Sequence, residues 1–317
     1  MNQTLERSLG ISFSSNCIFY TELVHNNGIT ELDHVDSAEA DFDFEEDLSK
    51  FKSNQKALTN ISDVVQKYFD NRNLNYRHIS LTISSSHAFL MMLPLDLSEG
   101  RQSFNSKIYW ELSNYFPDTY GDYIINTYRM SSVMPAGDTA QFLVIAVLKN
   151  TMEFVKRIFK MCNVELSIVD IDHFAAEQNL RRNYTELLTD KNVLLIGLKK
   201  GRVDYGFIAD KKYSHYAYSK YISESENNLT LVRKLNYLRD TLFKLSGIDS
   251  IFLYGDDIKE DTLEAVKKSA GAKVYILNPF ENINSSNEFL KNESLRKTSY
   301  RFAPSCGVAL RSLNGQS

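Results

Sequence analysis

The sequence predicts an α/β protein in which one order of strands and helices occurs twice. Apolar periodicity changes between strand and helix spacing along the chain, and each half opens with three strands joined by tight turns. Three antiparallel strands followed by alternating helices and strands are typical of a mixed sheet covered by helices. At 317 residues the chain also exceeds the usual extent of one hydrophobic core, so two domains are expected.

The first half is predicted to begin with three antiparallel strands. The Asn-Asn-Gly sequence at 26–28 is typical of a hairpin turn between the second and third. An acidic stretch follows and is expected to form a solvated loop, and the next apolar residues recur at helical spacing. In order, these elements are strands at 9–13, 17–24 and 29–35, the loop at 39–47 and a helix at 58–69.

A longer run of elements then interrupts the first half before its last strand and helix. Its periodicity indicates two strands, a helix, two strands and another helix, followed by the strand and helix that close the half. The predicted elements are strands at 79–83 and 88–93, a helix at 98–115, strands at 124–133 and 142–148, a helix at 151–161, a strand at 164–170 and a helix at 174–180.

The second half repeats the order of the first without the interruption. Its predicted elements are strands at 193–198, 202–208 and 213–221, a helix at 228–245, a strand at 251–254, a helix at 261–269, a strand at 273–277 and a short apolar segment at 307–313. We therefore predict a first domain at 1–190, interrupted by an inserted subdomain at about 78–165, and a second domain at 191–317. Two such units side by side form a cleft between them.

Composition and charge narrow the class of partner. Lys plus Arg is 36 and Asp plus Glu is 40, a net charge of −4, which argues against binding to nucleic acid or anionic membranes. The first residues are polar and no apolar stretch of about 18 residues occurs, so neither a signal peptide nor direct membrane insertion is expected. Cys17, Cys162 and Cys306 lie far apart among apolar residues and are expected to be reduced, buried thiols. The sequence thus predicts a cytoplasmic protein.

Several stretches carry motifs in a characteristic order. The opening hairpin reads LGISFSSNCIFYTEL, the inserted region contains KIYWELSNYFPDTYGDY, and a later strand-helix-strand ends in VDIDHFAAEQNL. Near the end, VYILNPF precedes APSCGVALRSL. Together these stretches, at 9–23, 107–123, 142–180, 274–280 and 303–313, resemble the PilM family of type IV pilus assembly proteins, which are relatives of FtsA.

The resemblance implies a fold and a role. The fold would be two duplicated actin-like (ribonuclease H-like) domains with an inserted FtsA-type small subdomain. The role would be that of a scaffold beneath the inner membrane, which binds the N-terminal cytoplasmic tail of a PilN-like inner-membrane protein in a groove between the first domain and the insert. Other pilus or secretion assembly proteins are further expected partners, and self-association is left open.

The nucleotide site of such a fold can be compared with this chain position by position. Phosphate-binding hairpins need glycines for close backbone approach and carboxylates that hold Mg²⁺. Here Ser12 stands where the resemblance implies Asp, Ser14 where it implies Gly, and in the second hairpin Gly197 and Lys199 occupy the corresponding places. The nucleoside turn keeps Gly255 but is flanked by Tyr254 and Asp256, at positions where small residues are expected. We therefore expect no cofactor, no hydrolysis and no enzyme activity.

Two alternatives retain a nucleotide. In the first, Ser12, Ser14, Ser15 and Asn16 donate hydrogen bonds to the phosphates, Lys199 or Lys200 supplies positive charge, and ATP with Mg²⁺ binds without hydrolysis. In the second, the protein is an active ATPase or small-molecule kinase of the actin-like superfamily. A filament-forming actin relative and the cytoplasmic domain of a type II secretion assembly protein are further readings of the same resemblance.

Aromatic residues of the inserted helix are the candidates for partner binding. Tyr109, Trp110, Tyr115 and Phe116 lie on or just after it, and exposed aromatics dominate interface energetics. Packing within the insert is the alternative.

Two other stretches have competing interpretations. Asp170, Asp172 and His173 could bind a metal or act as a base, but Asp172 at a strand-to-helix junction favours a helix cap. Residues 211–221 alternate tyrosines with basic residues, which favours a half-buried strand over a nucleic-acid platform.

Overall fold

The structure is a computed structural model of the chain. It describes residues 6–72, 76–96, 98, 101–131, 139–241, 247–256, 258–285 and 292–313.

The first lobe is built on a sheet whose central strand is the first of the chain. Strand β1 pairs antiparallel with β2 and parallel with β4, and β4 pairs parallel with β8, so the strand order is β14-β3-β2-β1-β4-β8. The elements are β1 Glu6–Ser14, β2 Cys17–Asn26, β3 Ile29–Glu39, α1 Gln55–Arg72, β4 His78–Ile83, β8 Ile168–Ile171, α4 Asp172–Asn183, α5 Thr185–Leu188 and β14 Asn284–Ser285.

The second lobe repeats this arrangement, with strand order β11-β10-β9-β12-β13. Its elements are β9 Asn192–Lys199, β10 Arg202–Ala209, β11 Lys212–Lys220, α6 Glu224–Thr241, β12 Ser250–Gly255, α7 Glu260–Ala270 and β13 Lys273–Ile276. In both lobes the first strand is central, its hairpin partners lie on one side and two parallel strands lie on the other. The predicted order of elements is therefore confirmed in the topology of the sheets. The basic and tyrosine-rich stretch forms strand β11, as its alternation predicted.

The insert is a separate three-stranded sheet with one helix. Its strand order is β5-β7-β6, all antiparallel, and the elements are β5 Ala88–Asp96, α2 Arg101–Tyr115, β6 Tyr123–Arg129, β7 Thr139–Leu148 and, leading back to the first lobe, α3 Lys149–Met161. The predicted insert of about 78–165 was too wide at both ends. Strand β4 pairs with β1 in the first-lobe sheet, and the buried Phe154 and Ile158 of α3 belong to the first-lobe core.

The end of the chain returns to the first lobe. After β13 the chain forms β14, α8 (Glu293–Lys297) and α9 (Ala303–Leu313), and β14 pairs with β3. Helix α9 lies on the first-lobe sheet, where the Ser8 hydroxyl donates to the Ala309 carbonyl at 3.0 Å. The predicted second domain of 191–317 therefore contains a segment that packs on the first lobe. Each half of the chain thus contributes a helix to the lobe of the other half. Helix α4 of the first half packs on the second-lobe sheet through Ala176 and Leu180.

The acidic stretch at 39–47 is not the solvated loop that its composition predicted. Phe44 is fully buried and stacks on Phe13 with ring centroids 4.3 Å apart. The Phe44 amide donates to the Ser15 carbonyl at 2.6 Å, and His87 Nε2 donates to the Phe44 carbonyl at 2.6 Å. Phe42 and Phe44 pack on the first-lobe core and anchor the segment, and Glu45 also turns inward to accept from the Ser84 hydroxyl. The high content of acidic residues obscured this signal.

The boundaries of three predicted elements differ from the structure or cannot be compared with it throughout. The strand at 164–170 begins only at Ile168, because the Val164 amide is still bonded to the Phe159 carbonyl of α3 at 2.9 Å. The ends of the predicted strand 124–133 and helix 228–245 fall partly outside the described residues. Among the described residues, no helix has both the length and the apolar content needed to cross a bilayer.

Candidate functional site

Two hairpins face each other across the cleft between the lobes. In the first, Ser14 pairs with Cys17, and the turn residue Ser15 has φ of 51°, in the left-handed region. In the second, Lys199 pairs with Arg202. Because both strands are central in equivalent sheets, Ser14 corresponds to Lys199, and two residues earlier Ser12 corresponds to Gly197. This is the correspondence that the sequence predicted.

Lys199 lies in a buried ion cluster. Its ammonium contacts the carboxylates of Asp172 at 2.5 Å and Asp204 at 2.7 Å, and donates to the Ser85 hydroxyl at 2.7 Å. Its side chain is 2% exposed. Lys200 points the other way and pairs with Asp43 at 2.5 Å. In this arrangement neither lysine has the free ammonium that the nucleotide-binding alternative assigned to it.

Burial and neighbouring positive charges shift the pKa of a buried carboxyl in this cluster in opposite directions. Although burial opposes ionisation of Asp204, Lys199 and Arg202 hold the pKa of its carboxyl well below the usual range. Burial lowers the pKa of His173 to about 3, so its ring is neutral at physiological pH. His173 Nδ1 lies 2.9 Å from the Tyr254 hydroxyl, which fixes the orientation of the ring.

The predicted helix cap at Asp172 is wrong in detail. Helix α4 begins at Asp172 itself, and its carboxylate accepts hydrogen bonds from the amides of Ser85 at 3.0 Å and His173 at 2.7 Å, besides pairing with Lys199. Asp172 therefore joins the start of α4 to the turn between β4 and β5 and to the second lobe. The metal alternative gains no support either, since the described part of the chain contains no group of three or more His, Cys, Asp or Glu placed to hold an ion.

Asp256 joins the second lobe to the first hairpin. The Ser15 hydroxyl donates to one carboxylate oxygen at 2.7 Å, and the Ser14 hydroxyl donates to the other. Gly255 makes this possible: its φ is 133°, and a Cβ there would collide with the Leu198 carbonyl. The glycine that the nucleoside turn retains thus brings the acid that follows it against the opposite lobe.

Gly197 makes room for an aromatic ring instead of a phosphate. A Cβ at this position would lie 2.5 Å from the Tyr254 hydroxyl, and Tyr254 is fully buried. The cavity that remains has a volume of about 10 Å³ and is lined, among others, by Ser12, Ser14, Lys199, Asp256, Arg301 and Pro304. A cavity of this size is near the lower limit for holding one water molecule.

The other residues predicted to bind nucleotide differ in exposure and in whether their polar groups have hydrogen-bond partners. The Ser12 hydroxyl is buried and has no hydrogen-bond partner among the described residues; the same holds for Nε of Arg301, which no sequence pattern singled out. Asn16 is exposed at the tip of the hairpin, where its side-chain oxygen accepts from the Cys17 thiol at 3.6 Å.

Most of the predicted partner-binding aromatics lie on the outer side of the insert. Tyr109, Trp110 and Tyr115 are 43%, 62% and 59% exposed. Phe116 is half-buried and packs edge-on against Phe89 with ring centroids 5.0 Å apart. Tyr115 packs on the same Phe89 ring, with centroids 4.8 Å apart. Tyr109 and Trp110 point in other directions from α2, because successive residues of a helix are about 100° apart.

A second apolar surface lies along strand β6, which is an edge strand of the insert. Ile124 and Tyr128 are 44% and 48% exposed and share a face with Val147 and Leu143, their partners on β7. Those two residues belong to the first-lobe core, so this face points toward the first lobe. Helix α2 covers the opposite face. The exposed edge strand β6 thus turns its apolar face toward the first lobe, where the Tyr128 ring lies 6.5 Å from the Phe174 ring of α4.

Comparison with known proteins decides the family. The family model described as type IV pilus assembly protein PilM matches residues 10–204, well over half of the chain. This chain belongs to the PilM family. None of the curated proteins searched matches its sequence significantly.

Solved structures agree with the PilM family in fold. A chain of a PilM-PilN type IV pilus biogenesis complex matches with a TM-score of 0.81 and 14% identity, over 96% of this chain and 98% of that one. A Bacteroides thetaiotaomicron protein with an actin-like ATPase fold and unknown function matches with a TM-score of 0.50 and 14% identity, over 87% and 93%. The predicted actin-like fold is thereby confirmed.

The actin-like fold implies a nucleotide with Mg²⁺ in the cleft of this PilM-family chain. Phosphates need free donors, and Mg²⁺ needs carboxylates that face it. Here the hydroxyls of Ser14 and Ser15 donate to Asp256, and the carboxylates of Asp172 and Asp204 pair with Lys199. In this arrangement the side chains of the cleft do not fit a triphosphate.

Sequence reasoning missed several residues of the site. Asp204 and Arg301 gave no signal, because a single charged residue within a strand or near a helix does not indicate which group it will meet. Asp256 stands out in the sequence only as an acid at a position where a small residue is expected. Its pairing with Ser14 and Ser15 joins positions 242 and 241 residues apart, so no local pattern indicated it.

Proposed function

We propose that this protein is a scaffold of a type IV pilus or related secretion machine that binds the N-terminal cytoplasmic tail of a PilN-like inner-membrane protein. The observation that carries the proposal is the likeness in fold, along nearly the whole of both chains, to a protein solved in a PilM-PilN complex. Membership of the PilM family supports the same role. The protein would work in the cytoplasm and reach the inner membrane through this partner.

The exposed edge of strand β6 is the proposed site for the tail. An edge strand offers unpaired backbone groups to an extended peptide, and pockets beside it select alternate side chains. Ile124 and Tyr128 supply an apolar face on that edge. The exposed aromatic residues of α2, Tyr109, Trp110 and Tyr115, are proposed to contact another pilus or secretion assembly protein, because α2 covers the opposite face of the insert's sheet.

A labelled synthetic peptide of the PilN-like tail from the same organism tests the first surface by fluorescence anisotropy. We expect Tyr128→Ala to weaken tail binding by about tenfold, since removing an aromatic anchor costs about 1–2 kcal/mol. Trp110→Ala is the matched control, and it should leave tail affinity unchanged while reducing recovery of other assembly proteins in a pull-down. Undiminished tail binding by Tyr128→Ala would place the tail elsewhere, and no binding by the unaltered protein would refute the proposed function.

We further propose that the scaffold works without a nucleotide cycle and is not an enzyme. The support is the ion pairing of Lys199, the pairing of Asp256 with Ser14 and Ser15, and the cavity of about 10 Å³. A ligand that binds only the native state raises its stability by mass action. We therefore expect no change in melting temperature with millimolar Mg-ATP, and a clear rise would favour the ATPase or kinase alternative.

A further inference from the structure

We propose that the Asp256 carboxylate takes the place of a bound phosphate group and fastens the first hairpin to the opposite lobe. The proposal rests on the nucleotide-independent role above and adds the device that makes such a role possible. In an actin-like cleft, a phosphate held between the hairpins connects the two lobes. Here the acceptor group is a side chain of the protein itself, so it cannot dissociate as a bound phosphate can.

The hydrogen-bond chemistry supports the substitution. A carboxylate, like a phosphate, presents several acceptor oxygens and a negative charge, and it forms strong charge-assisted hydrogen bonds with hydroxyl donors. Asp256 uses both of its oxygens, one for each of two successive serines in the hairpin. Those serines lie 241 and 242 residues away in the sequence, so the contact links distant parts of the chain.

The backbone of the second lobe delivers the carboxylate to this position. The Asp256 amide donates to the Leu198 carbonyl at 3.0 Å, which ties the turn to the end of the central strand β9. Gly255 adopts a backbone conformation that favours glycine and lies so close to Leu198 that a side chain would not fit. The carboxylate is thus aimed at the first hairpin by two constraints on its own backbone.

The surroundings would accept a small anion if the carboxylate were absent. Among the described residues, the buried Ser12 hydroxyl and the buried Arg301 Nε have no hydrogen-bond partner, and both residues line the same cavity as Asp256. Removal of the carboxylate would leave Ser14 and Ser15 as free donors beside them. An inorganic phosphate ion could then occupy the vacated position.

Asp256→Ala tests the contact, with Asp261→Ala as its matched control. Asp261 is an exposed acid in the first turn of α7, so its removal changes the net charge equally without touching the hairpin. We expect hydrogen exchange of the peptide covering 12–18 to become about tenfold faster in Asp256→Ala and to stay unchanged in Asp261→Ala, because lost charge-assisted bonds free the hairpin. Asp256→Asn, which keeps the shape but not the charge, should give an intermediate rate.

Inorganic phosphate then distinguishes a phosphate position from an ordinary contact. Millimolar phosphate should restore slow exchange and raise the melting temperature of Asp256→Ala, whereas sodium chloride at equal ionic strength should not. The effect should vanish when Ser14→Ala and Ser15→Ala are added to that variant.

Equal exchange in Asp256→Ala and Asp261→Ala would overturn the fastening role. Faster exchange that phosphate fails to slow would overturn the substitution for a phosphate. Because none of these measurements uses the tail peptide, their failure and the failure of the proposed scaffold role can be told apart.

Discussion

At the scale of single residues, the stability of the cleft depends on Lys199. Its ammonium is the shared partner of two buried carboxylates. Breaking a buried ion pair from one side leaves a charge without compensation, which costs about 3–5 kcal/mol. We expect Lys199→Met to lower the free energy of unfolding by about this amount in urea denaturation.

Lys200→Met is the matched control for that measurement. Lys200 is adjacent in sequence, but its pair with Asp43 lies at the surface, and such pairs contribute about 1 kcal/mol or less. Similar losses in the two variants would contradict the view that burial makes the Lys199 cluster important.

Glu45 is predicted to make stability depend on pH. Its carboxylate accepts from the hydroxyls of Ser84 at 2.7 Å and Ser86 at 2.8 Å, but burial still raises its pKa to about 7. A carboxyl in the unfolded chain has a pKa of about 4.3, so between about pH 4.3 and 7 the folded state binds the extra proton. The contribution of Glu45 to the free energy of unfolding is therefore complete below this window, and it is lost as the pH rises through the window.

Glu45→Gln should remove this dependence. Relative to the unaltered protein, we expect the variant to gain free energy of unfolding as the pH rises from 5 to 8, measured by urea denaturation at each pH. Glu46→Gln provides the comparison, because Glu46 is the exposed neighbour in the same segment. A difference between Glu45→Gln and the unaltered protein that does not change with pH would disprove the interpretation.

Residues of the candidate site were predictable only in part. The family resemblance implied that Ser12 corresponds to Gly197 and Ser14 to Lys199, and the register of the two equivalent sheets aligns them in the same way. The partners of those residues could not be predicted. Asp204 lies on a strand next to the hairpin and Asp256 after another strand, and their meeting with Lys199 and Ser14 depends on how the lobes pack.

At the scale of elements, close packing of helix α9 depends on a glycine. A Cβ at Gly307 would collide with the Ala175 carbonyl of α4. Overpacking against backbone cannot be relieved by a side-chain rotation, so Gly307→Ala should destabilise the protein by about 3 kcal/mol in thermal or urea denaturation. Gly121→Ala is the control: a Cβ there meets nothing within 4 Å, and we expect a change close to zero.

This packing explains why the return of the chain end was not predicted. The residues through which α9 meets β1 and α4 are small, such as Gly10, Ala175 and Gly307, and small residues carry almost no periodic signal. The strands, by contrast, were found because apolar residues alternate along them. Composition also misled at 39–47, where two phenylalanines decide the structure and the more numerous acids do not.

At the scale of the whole molecule, the two lobes are predicted to be unable to fold separately. Helix α9, from the end of the chain, covers Phe19, Leu23 and Leu32 of the first lobe together with its neighbours Phe280 and Phe302. A fragment of residues 1–190 would expose that apolar surface to water, and large exposed apolar surfaces lead to aggregation.

Expression of the halves tests this dependence. We expect fragment 1–190 alone to be insoluble or aggregated in size-exclusion chromatography, and the same fragment co-expressed with 191–317 to elute as a soluble complex of one copy of each. The reason is that each half supplies a helix to the sheet of the other, α4 in one direction and α9 in the reverse. Two soluble, monomeric fragments with the circular dichroism of folded proteins would show that the exchange of helices contributes little, and that the lobes are joined chiefly by the polar contacts of the cleft.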